Sequence, residues 1–123
     1  MGKGSSDQVL ELYSNLLLEI WEVVSALIGE TILALLFHLA IKKIEGKYPF
    51  LTSIQVSEEG VSLEGVKEHG RSLPPVEIHR GFQGFITHLF DLFTTLSEGV
   101  INRELFPKVI PKVKEAERMI SNK

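Results

Sequence analysis

The sequence predicts an α+β chain that is predominantly helical: helix, helix, β-hairpin, helix and a shorter last helix, packed as a bundle. Three observations carry this. Residues 9–44 are almost continuously apolar with a helical period. Residues 54–57 and 61–64 alternate on either side of a turn, and residues 78–100 return to the helical period. A chain of 123 residues with 44% hydrophobic content is expected to form one domain with a core of its own. That domain is expected over residues 7–121, after a disordered MGKGSS leader at residues 1–6.

The first helix starts where Ser5 can cap it, with Gln8 three residues on and Asp7 in the first turn. Glu11, Asn15, Glu19 and Glu22 form one narrow polar stripe; the rest of the cylinder is Leu, Ile, Val, Tyr13 and Trp21. An ordinary surface helix has an apolar arc a little over 100° wide. Here the arc is wider, so the helix needs cover on several sides. That is more than one small chain readily supplies, and it predicts a homodimer.

Gly29-Glu30 interrupts the pattern. Ile32, Leu33, Leu35, Leu36, Phe37, Leu39, Ile41 and Ile44 follow, with a polar stripe of Thr31, His38, Lys42 and Glu45 rotated by about half a turn. Two outcomes fit: Gly29 breaks the run into two packed helices, or one long helix buries different faces at its two ends. Gly46 and Pro49 end the element.

A hairpin is expected at about residues 52–66. Ile54, Val56, Val61 and Leu63 alternate with polar residues around a Glu58-Glu59-Gly60 turn of three to five residues. A lone hairpin is marginal in water, so its apolar face must lie on the helices or pair with a second hairpin. Residues 65–77, with Gly65, Gly70, Pro74 and Pro75, read as a solvated loop.

Residues 78–100 then place Ile78, Phe82, Phe85, Ile86, Leu89, Phe90, Leu92, Phe93, Leu96 and Val100 on one half of a helix. Glu98-Gly99 weakens that helix, whose end is expected near residues 103–106. Pro107 and Pro111 are not expected to share a regular helix interior. A last helix therefore begins near one of them and ends near Ile120, with a seam of Val109, Val113, Ala116 and Ile120.

Composition excludes several functions. The net charge is −3: residues 1–60 hold four lysines and eight acids, residues 61–123 nine cations and eight acids. This is no nucleic-acid profile. The acidic first half and mildly basic second half can complement each other, within one chain or between two. Without cysteine there is no disulfide, thiolate metal site or thiol nucleophile, and a cytoplasmic setting is expected. No leader with a short apolar core is visible. Residues 23–41 nearly reach spanning length but contain Glu30 and His38, so a membrane segment is not expected.

No motif identifies a catalytic residue, a metal site or a cofactor. His38, in the polar stripe of an apolar helix, could anchor a ligand pocket lined by Trp21, Phe37, Phe82 and Phe85. His88, with Asp91 at i+3, could accept a phosphoryl group, although the residues after it do not match a phosphotransfer pattern. Gly81-Phe82-Gln83-Gly84 resembles a nucleic-acid clamp only in spacing; the sheet and basic neighbours such a clamp needs are missing. The leading expectation is a non-enzymatic, dimeric interaction or regulatory module, pairing through its long N-terminal helices with itself or another protein. The alternatives are the small-molecule binder near His38 and a signalling protein using His88.

Overall fold

The computed structural model describes the backbone of residues 2–121 and the side chains of residues 6–120. Among the described residues, five helices and one two-stranded antiparallel sheet follow the expected class. Helix α1 spans Gly2–Ile28 and α2 spans Glu30–Ile44. A 3-10 turn, Pro49–Ser53, leads to β1 (Gln55–Ser57) and β2 (Gly60–Ser62). Then come α3 (Glu64–Gly70), α4 (Pro75–Ser97) and α5 (Val100–Ser121).

Helix α1 begins at Gly2, where the sequence predicts disorder through Ser6 and a cap at Ser5. Met1 lies outside the described residues. The reason for the early start is tertiary: Ser6 is buried, and its hydroxyl donates to the Leu73 carbonyl at 2.8 Å. Gly29 does break the long run. Its backbone sits at φ 90°, ψ 156°, a region open essentially to glycine alone. Trp21 and Phe37, each eight residues from Gly29, meet edge to face at 5.4 Å, so α2 folds back along α1.

The helices run up, down, up, down. Leu39 neighbours Leu92, and the Ile44 side chain closes on Gly84, so α2 and α4 are antiparallel. Tyr13 of α1 stacks on Phe82 of α4 at 5.0 Å. Lys108 of α5 reaches Glu19 of α1 at 3.5 Å. The hairpin and α3 form the crossover between α2 and α4 and close the lower end.

Helix α1 is the centre. Val9, Leu10, Tyr13, Leu16, Leu17, Ile20 and Val24 are buried, and α2, α3, α4 and α5 all pack on it. Most of its wide apolar arc is therefore covered within one chain, while Leu18 and Leu27 stay exposed. Three ion pairs join its acidic stripe to later cations: Glu11 with Lys67 at 3.4 Å, Asp7 with Arg71 at 3.5 Å, and Glu19 with Lys108. Part of the charge complementarity of the two halves is thus met within the chain. Each pair is largely exposed and contributes at most about 1 kcal/mol.

The hairpin is tighter than expected. Val56 pairs with Val61 and Ser57 with Gly60, leaving only Glu58 and Glu59 in the loop, and Gly60 has φ 143°. Ile54 and Leu63 are buried, so its apolar face lies on the helices. The stretch 65–77 is not one loop: Glu64–Gly70 is helical because Val66 is drawn into the core. Pro75, free of any need for its missing N–H, opens α4.

Helix α4 ends earlier than predicted. Glu98 is left-handed (φ 54°), Gly99 follows at φ 92°, and the Glu98 N–H donates to the Thr94 carbonyl at 2.8 Å. The Ser97 hydroxyl accepts the Ile101 N–H at 3.1 Å, and the Asn102 amide donates to the Phe90 carbonyl at 3.1 Å, folding α5 back onto α4. Helix α5 then runs through both Pro107 and Pro111, against expectation. Each proline costs about 3 kcal/mol in a helix interior. Here Arg103, Pro107 and Pro111 are all exposed, so the carbonyls the prolines leave unpaired belong to the wet side. Leu105, Val109 and Ala116, buried on the other side, hold the helix in place.

Candidate interaction surface

The structure brings Trp21, Phe37 and Phe85 together and sets Phe82 and His38 apart from them. Phe37, Phe82 and Phe85 are solvent-free core. Trp21 is half-buried against Phe37, and Phe37 meets Phe85 edge to face at 5.6 Å. Phe82 belongs to a second group, stacked on Tyr13 and 5.8 Å from Phe50. His38 is exposed on the outer side of α2, adjacent in sequence to Phe37 but facing away from it. One helix position, about 100°, divides anchor from lining.

His88 is half-buried on α4. It lies in a groove of about 610 Å³ along the α2–α4 seam, with Leu39, Lys42, Lys43, Asp91, Leu92 and Thr95. A second hollow, about 550 Å³, continues toward the lower end, where Lys43, Lys47 and Arg80 join His88, Gln83 and Thr87. The Gly81-x-x-Gly84 pair lies inside α4. A Cβ at Gly81 would stand 2.7 Å from the Phe50 ring and one at Gly84 2.9 Å from Ile44, so both glycines let neighbouring side chains close on α4.

The most evident surface feature is apolar. On α2, Ile32 (45% exposed), Leu35 (57%) and Leu39 (44%) form one stripe at i, i+3, i+7. On the antiparallel α4, Leu92 stands beside Leu39, and Leu96, one turn on, is exposed. Helix α2 thus buries Leu33, Leu36, Phe37, Ala40, Ile41 and Ile44 on one side and presents leucines on the other. Periodicity identified both sets as apolar. What it could not show is which set α4 would cover.

One buried polar pair was not singled out by sequence. The Tyr13 hydroxyl and His79 Nδ1 share a hydrogen bond of 2.8 Å between α1 and α4. Burial lowers the His79 pKa, opposed by Glu117 on α5 and reinforced by Arg80. Burial, then the Glu117 charge, raises that of Tyr13. Tyr13 has no solvent exposure and His79 little, and the pair ties the two helices together. In sequence Tyr13 reads as part of the apolar arc; only its partner, 66 residues away, reveals the pair.

Among the described residues, no three His, Asp or Glu side chains converge as a metal site, and no helix is long and apolar enough to cross a membrane. No family model, curated protein or solved structure matches the chain.

Proposed function

We propose that this chain is a non-enzymatic interaction module that self-associates through the outer face of α2 and the adjoining edge of α4. The observation that carries the reading is the row Ile32, Leu35 and Leu39 on α2, each 44% exposed or more, with the exposed Leu96 on the neighbouring α4. Apolar side chains aligned on one face are the usual mark of an interface, whereas scattered ones are not. In this reading the pairing helices are α2 and α4, on which the exposed side chains align. A reducing cytoplasmic setting belongs to the same reading, supported by a sequence without cysteine.

Completing the burial of four half-exposed side chains from each copy is worth on the order of 1 kcal/mol apiece. Association costs about 4–15 kcal/mol in lost freedom. The dimer is therefore concentration-dependent, and light scattering should span micromolar to millimolar protein. Wild type is expected to approach twice the monomer mass. Leu35→Glu, at an exposed position, should stay monomeric with an unchanged melting temperature. A wild-type monomer over the whole range would refute the proposal.

A further inference from the structure

We infer that two copies pair antiparallel across the α2–α4 seam, the acidic upper end of each on the basic lower end of the other; this rests on the self-association proposed above. The apolar stripe is nearly symmetric about its own middle. Ile32 lies three residues before Leu35 and Leu39 four residues after it. A two-fold axis beside Leu35 therefore sets Ile32 of one copy over Leu39 of the other, and the stripe covers itself.

The charges around the stripe are not symmetric, and this selects the orientation. At the upper end Glu30 opens α2 and Glu98 closes α4, both exposed. No lysine or arginine occurs between Val23 and Ile41 or between Leu89 and Asn102. At the lower end Lys42, Lys43, Lys47 and Arg80 line the two hollows, with Asp91 the one acid in those linings. Among the described residues, none of Glu30, Glu98, Lys42, Lys43, Lys47 and Arg80 is ion-paired within the chain. Parallel pairing would set lysines on lysines and glutamates on glutamates. Antiparallel pairing sets each group on its opposite, at both ends of the same interface.

The test is a charge swap read by light scattering and sedimentation. Lys42→Glu with Lys43→Glu, and separately Glu30→Lys with Glu98→Lys, should each weaken the dimer about tenfold or more, because each places like charges at both ends. All four substitutions together reverse both ends and should restore the wild-type dissociation constant to within about threefold. In a parallel pair the lysine reversals would exchange one repulsion for another and change little. As a second readout, Leu35→Cys introduces the chain's one cysteine. It should give a disulfide-linked dimer under mild oxidation, whereas Leu27→Cys, beyond the end of the stripe, should not.

A wild-type dimer indifferent to every charge variant would overturn the antiparallel arrangement and leave self-association standing. Failure of the four-fold variant to recover would do the same. A wild-type monomer would remove both. A monomer that melts higher in millimolar inorganic phosphate, with the gain lost in Lys43→Gln, would make the basic end an anion site instead.

Discussion

Replacing Gly29 by alanine tests the hinge between α1 and α2, and the sign of the effect decides the outcome. At φ 90°, ψ 156°, Gly29 occupies backbone space that costs an L-residue about 1–3 kcal/mol. Sterics add nothing, since a Cβ there would meet no atom within 4 Å. Alanine also reduces the freedom of the unfolded chain, worth about 0.4–1 kcal/mol in the other direction. The net expectation is a loss of about 1–2 kcal/mol. For a chain of 123 residues, 1 kcal/mol moves the melting temperature by about 4 °C, so Gly29→Ala should melt about 4–8 °C below wild type. Gly46→Ala is the control: it has equally open surroundings and no positive φ, and should melt at or slightly above wild type. Calorimetry of the three proteins gives the answer. If residues 9–44 formed one continuous helix, Gly29→Ala would instead stabilise by about 1 kcal/mol. A rise in melting temperature would therefore refute the helical hairpin.

Other positions follow from burial and titration. Ser14→Ala should stabilise by about 1 kcal/mol in denaturant titrations, because the Ser14 hydroxyl is buried and finds no partner among the described residues; a loss of that size would reveal a hydrogen bond. Gly81→Ala should destabilise by about 1–3 kcal/mol, since the new methyl would press on the buried Phe50 ring and force it to move; a neutral result would show that the 3-10 turn yields freely. For pH, the His79 pKa is depressed on folding, so the unfolded chain takes up the proton first. Its contribution is complete above the unfolded value of 6.5 and declines as pH falls below it. Melting temperature should drop between pH 7 and 5 in wild type and drop less in His79→Asn; equal slopes would remove His79 as the cause.

How much of this was legible in sequence differs by element. Of the ten residues that the helical period of residues 78–100 places on the apolar half, Ile78, Phe82, Phe85, Ile86, Leu89 and Phe93 are buried, Phe90 and Leu92 half-buried, and Leu96 and Val100 exposed. Period and alternation located the hairpin, because Val56 and Val61 read as one face wherever that face packs. Misreadings fell where tertiary contacts override local preference. Ser6 bonds to Leu73 across 67 positions and carries α1 past its expected cap. Helix α5 crosses two prolines because Leu105, Val109 and Ala116 anchor its other side. Glu98 turns left-handed where α5 folds back onto α4.

The sequence by itself determined that there would be several helices, one small hairpin, an acidic first half and more apolar helix surface than a simple surface helix needs. Those properties depend on residue spacing and composition, which neighbours in the chain already define. Only the tertiary structure decided where the surplus went. Helices α2, α3, α4 and α5 take up most of the arc of α1 but leave Leu18 and Leu27 exposed, and Ile32, Leu35 and Leu39 remain outside because α1 and α4 take the opposite side of α2. A helix has one circumference, and which part meets solvent is settled by the directions its neighbours come from.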